Sequence, residues 1–308
     1  MSGPASSSSA PATASGQALK DLIALLDLEC VQPDIFRGRS PTDRWQRVYG
    51  GQVLGQALVA AQRTVSGRAC HSLHAYFLRA GDPKLPIFYE VDRSRDGRSF
   101  TARRVAAVQN GRTIFTMSAS FQVPEEGLEH QSAMPEVPDP ESLPPESQWR
   151  AKVAAQLPEQ MRDRVLRVRP IELRPVLPAD RFARGKQAPR QIVWMRAAGA
   201  LPRALSVHQC VLAYASDMTL LDTSLLPHGF SLLSPGLQLA SLDHAMWFHR
   251  PFRADEWLLY AQDSPAASGG RGFNRGQIFR RDGTLVASVV QEGLIRRRGA
   301  VAAPPQVA

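Results

Sequence analysis

HSLHAYFLRAGDPKLPIFYEV, residues 71–91, returns in altered form as SLDHAMWFHRPFRADEWLLYAQ, residues 241–262. Laid on each other, the two segments match Ser72 to Ser241, Phe77 to Phe248, Arg79 to Arg250 and Tyr89 to Tyr260. Downstream, SFTARRVAAVQNGRTIFTMSAS (99–120) lies on GFNRGQIFRRDGTLVASVVQE (272–292), with the turn Asn110-Gly111 opposite Asp282-Gly283. From Phe77 onward the offset stays near 171–173 residues, which marks a duplicated unit. Asn-Gly and Asp-Gly between extended apolar runs predict two-residue hairpins, because both central positions then take positive φ.

Each unit places a helix ahead of its strands: GGQVLGQALVAAQRTV (50–65) in the first and SVHQCVLAYASDMTLL (206–221) in the second. Both are apolar nearly all round, so each must be surrounded. The strand from Arg112 to Phe121 alternates Phe115, Met117, Ala119 and Phe121 with Thr116, Ser118 and Ser120, the period-2 pattern of a sheet with one buried face. One helix enclosed by a curved antiparallel sheet, twice over, is the α+β architecture expected. Gly50, Gly51 and Gly55 are expected to let the sheet and a ligand approach the first helix closely. An amphipathic helix, ALKDLIALLDL (18–28), turns Leu19, Leu22, Ile23 and Leu26 to one side and is expected to pack on the outside of the core.

Between the units, Pro124–Pro145 holds six prolines and a cluster of acids, a composition that continues neither a helix nor a central strand. The expected organisation is therefore a disordered tail at 1–16, a first unit at 17–123, a Pro-rich acidic linker at 124–148, a second unit at 149–298 and a tail at 299–308. The chain has 308 residues, 44% hydrophobic and 21% charged, enough for a sizeable core. No stretch approaches the roughly 20 apolar residues of a membrane helix. The net charge of +9 comes from Arg spread along the chain, without the concentrated, aromatic-interleaved block of a nucleic-acid surface, so no nucleic-acid partner is expected. Cys30, Cys70 and Cys210 are scattered and lack CxxC spacing, which predicts neither a disulfide framework nor a zinc site. Residues 1–16 carry no basic or apolar run of a signal peptide and the chain does not end in Ser-Lys-Leu, so a cytoplasmic location is expected.

Several familiar sites are excluded. There is no GxSxG elbow and no Walker A motif, and GGRGFNRG (269–276) lacks GxGxxG spacing. His71 and His74 fall on opposite faces of a strand. Ser241 and His244, on an uninterrupted strand, also face apart by ~10 Å and form no triad. What remains are polar residues in apolar settings. Asp217 closes the buried run of the second helix, where an ionised carboxylate needs partners or a task; a helix-end residue bonded to backbone is the plainer alternative. Gln291 follows TLVASVV where the first unit has Ala119, and Ser241 sits among Leu239, Ala240 and Leu242.

The strings FRGRS, GGQVLGQAL, HSLHAYFLRAGDPKLPI, FTARRVAAVQNG, YASD, SLDHAMWFHRPFRADEWLLY, RGFNRGQIFRRDG and VQEG resemble those of the acyl-CoA thioesterase II family, from about Ala18 to Arg296. The resemblance implies a double hot-dog fold and hydrolysis of fatty acyl-CoA, of medium to long chain, to fatty acid and CoA, with no cofactor or metal. It places the family's catalytic trio on Asp217 of YASD, Ser241 opening SLDH, and Gln291 of VQEG; bacterial members carry Thr where this chain has Ser241, and the hydroxyl is retained. Such a trio suits water activation: Asp217 takes the proton, directly or through Ser241, while Gln291 orients the water. Direct attack by Asp217 to give an anhydride is the other route. Arg79, Arg271 and Arg275 are candidates for the CoA phosphates. A non-catalytic acyl-CoA-binding module and a hot-dog enoyl-CoA hydratase are the competing readings; the hydratase chemistry calls for an Asp/His pair, and no histidine here has a convincing partner. The open faces and edges of hot-dog sheets predict a homodimer or homotetramer.

Overall fold

The computed structural model describes residues 14–41, 47–155, 159–177, 185–232 and 234–297. The expected tails lie outside these residues except for 14–16, which are helical instead. Helix α1 (Ala14–Leu26) buries Ala18, Leu19, Leu22 and Leu26, the one-sided stripe its sequence spacing predicts. The short strands β1 (Glu29–Gln32) and β2 (Ile35–Gly38) lead to α2 (Gly50–Gln62), followed by β3 (Ala69–Phe77), β4 (Ile87–Asp96), β5 (Phe100–Gln109) and β6 (Arg112–Gln122). Helices α3 (Glu146–Ala154) and α4 (Glu159–Leu166) precede β7 (Ile171–Leu177), β8 (Arg190–Ala197) and α5 (Leu205–Ser216). The chain closes with β9 (Leu237–Ser241), β10 (Asp243–Phe248), β11 (Leu258–Ser268), β12 (Arg271–Arg280) and β13 (Leu285–Arg297).

All these strands form one antiparallel sheet in the order β1-β2-β4-β5-β6-β3-β10-β13-β12-β11-β8-β7, with β9 paired to β13. The two halves fuse at the β3–β10 seam, where Ser72 faces Trp247, His74 faces Ala245 and Tyr76 faces Asp243. His74 and Ala245 are 171 residues apart, and the same shift exchanges the two outer pairs. The duplicated strands therefore meet across a local twofold axis. The register also corrects one pairing read from sequence: Cys70 sits opposite Phe121 as Ser241 sits opposite Gly293, so Cys70, not Ser72, is the mate of Ser241. Ala119 remains the mate of Gln291.

Helices α2 and α5 lie against each other inside the two halves, almost wholly buried along their length. They run antiparallel: Gly51 near the start of α2 meets Asp217 after the end of α5, and Gln62 at the end of α2 meets Gln209. Gly51 and Gly55 of α2 serve this helix pairing, while Gly50 admits the sheet, a Cβ there lying 3.2 Å from the Phe77 ring of β3. A Cβ on Gly51 would stand 2.3 Å from the Tyr214 carbonyl oxygen, and one on Gly55 3.2 Å from that of Cys210. At Gly51 only a residue without Cβ allows such proximity.

The hairpin at Asn110-Gly111 has positive φ at both residues, as its sequence predicts. Its counterpart differs: of Asp282 and Gly283 only the glycine is left-handed, and Arg280 N–H bonds Thr284 C=O around a three-residue loop. The Pro-rich segment is more than a connection. It runs over the outer face of the second half-sheet, where Met134, Val137 and Leu143 pack on a cluster of Trp194, Trp257, Leu259, Phe279 and Leu285. Trp194 Nε1 donates to Pro138 C=O at 3.0 Å, and Gln131 bonds both the Gly283 carbonyl and the Leu285 amide.

Candidate active site

Helix α5 ends at Asp217, whose backbone is still helical (φ −81°, ψ −7°). Its carboxylate accepts three hydrogen bonds from three distant parts of the chain. Gly51 N–H, in the first turn of α2, donates to Oδ2 at 2.9 Å. Ser241 Oγ and Gln291 Nε2 both donate to Oδ1, at 2.9 and 2.5 Å. The glycine pair at the head of α2 makes room, since a Cβ on Gly50 would lie 2.7 Å from Oδ2. Burial pushes the Asp217 carboxyl up to about 6, against the lowering effect of its three donors. A carboxyl raised this far suits a general base near neutral pH.

Ser241 and Gln291 arrive on adjacent strands. β9 pairs with β13 through Ser241 and Gly293, and Gln291 shares the inward face of β13 with Val289 and Gly293. The expectation that Ser241 and His244 face apart assumes an unbroken strand, but the ladder breaks between them at Leu242. Leu242 donates its N–H to Glu292 C=O and accepts from Phe77 N–H, so the chain turns from β9 into β10 there. His244 consequently enters the site from its far side, fully buried.

The orientation of the Gln291 amide follows from this histidine. Ser216 Oγ donates its one proton to Ala213 C=O at 2.9 Å, so it accepts from His244 Nε2–H, also at 2.9 Å. Burial lowers the imidazole to about 3, which keeps it neutral and leaves Nδ1 as an acceptor. Gln291 Nε2 lies 3.3 Å from that Nδ1. Its two N–H groups are thus directed to Asp217 and His244, and Oε1 is a buried acceptor without a protein partner among the described residues. Such an oxygen is placed to receive a hydrogen bond from a water or substrate group. Sequence reading gives no histidine a convincing partner; His244 has two, and its only sequence signal is an ionisable residue inside an apolar strand.

The structure thus brings Asp217, Ser241 and Gln291 together. It does not bring Arg79, Arg271 or Arg275 to them. Arg271 and Arg275 project from the outer face of β12, paired with Glu292 and Asp263 respectively. Arg79 is exposed and donates to Thr113 C=O at 2.7 Å. Among the described residues no group of three or more His, Cys, Asp or Glu could hold a metal ion, and no helix is long and apolar enough to cross a membrane.

A duplicated helix-on-sheet unit with a buried Asp at the end of its second helix is a double hot-dog architecture. A hot-dog protein from Alicyclobacillus acidocaldarius, 19% identical, shares the fold with a TM-score of 0.71 over 90% of this chain and 98% of that one. The family described as acyl-CoA thioesterase matches residues 161–294, and the acyl-CoA thioesterase N-terminal domain matches residues 39–122. Acyl-CoA thioesterase 2 of Haemophilus influenzae is 44% identical over 90% of this chain and 98% of its own length. The structure of acyl-CoA thioesterase II TesB2 from Mycobacterium marinum superposes with a TM-score of 0.74 at 44% identity, covering 91% of this chain and all of that one. The chain belongs to the acyl-CoA thioesterase II family and is a thioester hydrolase of fatty acyl-CoA.

The fit of α2 against Asp217 gives a direct test. Gly51→Ala is expected to cost about 1–3 kcal/mol, because the new methyl meets the Tyr214 carbonyl and the Tyr49 ring. Chemical denaturation of the variant would show a lowered midpoint, and an unchanged midpoint would mean that α2 and α5 separate easily.

Proposed function

We propose that Asp217, Ser241 and Gln291 are the catalytic trio for hydrolysis of medium- to long-chain fatty acyl-CoA. The observation that carries this reading is the convergence of Ser241 and Gln291 on one oxygen of a carboxylate whose affinity for protons is raised by burial. The carboxylate accepts a proton from the attacking water while Gln291 Oε1 accepts the water's second hydrogen. Loss of the thiolate from the tetrahedral intermediate, with the Asp217 proton passing to its sulfur, gives free acid and CoA and restores the carboxylate. The oxyanion falls to the head of α2. Gly51 N–H is taken by Asp217, so Gly50 N–H is the donor assigned to it, at the positive end of the helix dipole.

Thiol release from CoA thioesters of 4 to 18 carbons tests the reading, with turnover expected to rise toward the longer chains. Ser241→Ala should lower kcat by about tenfold, since one of three hydrogen bonds to the base is lost. Absence of turnover at every length, with acyl-CoA still bound, would make the protein a binding module.

A further inference from the structure

At the end of the antiparallel α2–α5 pair away from Asp217, where α2 ends and α5 begins, a cleft of about 1110 Å³ opens beside α1. It lies apart from the trio: the mates of Ser241 and Gln291 in the first half, Cys70 and Ala119, are buried in the core, and Arg63, the residue that caps α2, stands on the cleft wall.

Ile23 and Leu26 of α1, Val59 of α2, and Leu205, Val207 and Cys210 of α5 give the cleft apolar walls. Its rim is cationic, with Lys20, Arg63 and Arg68 against the single acid Asp27. The Arg63 guanidinium reaches the Leu28 carbonyl and the Asp27 carboxylate, and the Asp27 side chain is 73% exposed, so this pair is open to exchange with a competing anion.

We propose that this cleft binds a long-chain fatty acid anion without hydrolysing it, which would make it a site for the product of the reaction. The alkyl chain lies between α1 and the helix pair, and the carboxylate is held at the Arg63 rim. The inference rests on the proposed function, which makes a fatty acid anion the product released by the same chain. The rim then selects the ligand: a guanidinium welcomes a planar anion, which it binds in bidentate fashion. Apolar walls with a few charged groups at the mouth are what an amphiphile with one anionic end requires.

Calorimetric titration of dodecanoate into the full-length protein tests this. Binding is expected in the wild type and in Asp217→Asn. Arg63→Glu should weaken it at least tenfold. Ala200→Trp, which adds bulk from an exposed position on the cleft wall, should abolish it while thiol release continues. Methyl dodecanoate, which lacks the charge, should bind at least tenfold more weakly than the acid. Dodecanoate affinity unchanged in both Arg63→Glu and Ala200→Trp would overturn the proposal and assign the binding to the catalytic cleft. So would an altered assembly mass for Ala200→Trp in light scattering, which would show that a second copy of the chain covers the cleft. The trio is tested separately by whether Asp217→Asn releases thiol.

Discussion

Asp217→Asn is expected to lower kcat for thiol release by about 10³-fold with little change in KM, since general-base groups contribute roughly 10²–10⁴ and the amide keeps the shape of the site. The same variant should gain stability relative to the wild type as pH rises. The Asp217 carboxyl is raised from 3.8 to about 6 in the folded protein, chiefly by burial. Its contribution to stability is therefore fully present below pH 4 and is lost as pH rises through 6, where the folded state must carry a desolvated charge. The amide of the variant carries none. From pH 4 to pH 8 the variant should gain about 3 kcal/mol on the wild type, less a pH-independent cost of about 1–3 kcal/mol for setting its amide N–H against the Gly51 N–H. In the wild type, kcat/KM should fall as pH drops through about 6. A variant as active as the wild type, or an acid limb near pH 4, would remove Asp217 from the role of base.

The two properties belong together. A site that holds a carboxylate out of water sacrifices stability for basicity, and this exchange is visible in how the chain is built around it. Gly50 and Gly51 admit the carboxylate to the head of α2, where one backbone N–H partly offsets its loss of solvation. At the other end of the helix pair the buried charge is a cation: the Arg103 guanidinium donates to the hydroxyl and carbonyl of Thr64, just past α2, and to Asp96. The two ends thus carry buried charges of opposite sign, and among the described residues only the Arg103 end has an ion-pair partner.

Much of this was legible in the sequence because it rests on periodicity. The two apolar helices, the alternating strand at 112–121 and the repeat offset follow from how side chains must be buried, and Asp217 stood out because a charge closed a buried run. Other features rest on three-dimensional accidents that no periodicity carries. The break at Leu242 depends on a hydrogen bond accepted from Phe77 N–H and one donated to Glu292 C=O, residues 165 and 50 positions away, and on an unbroken strand His244 would face the wrong side. The close approach at Gly51 is to another helix, which sequence spacing within one unit does not reveal. The packing of the Pro-rich segment on Trp194 and Phe279 was hidden for a similar reason: prolines say what a segment cannot be, not which surface it covers.

The break at Leu242 has a catalytic consequence that can be measured. Gln291→Leu, which removes both the donor to Asp217 and the free Oε1, should reduce kcat by about 10²-fold, the scale of losing a positioned hydrogen-bonding group. His244 is expected to act one step behind it, as a positioning residue. With Nδ1 present, turning the amide over would set Gln291 Oε1 against a lone pair, so the N–H groups stay toward Asp217 and His244. His244→Leu removes that constraint. Once Asp217 takes up a proton its O–H can donate to a reversed Gln291 Oε1, which stabilises the acid form. His244→Leu should therefore lower kcat about tenfold with KM nearly unchanged, and should also move the acid limb of the rate profile above pH 6. His244→Asn should restore both, because its Oδ1 can occupy the position of Nδ1 and accept the same hydrogen bond. A filler of the core would behave differently: Leu and Asn would then alter stability according to their packing, and neither would shift the pH midpoint. Rescue by Asn but not by Leu is the outcome that separates an orienting acceptor from a buried ring, and equal pH profiles for the two variants would leave His244 with packing alone.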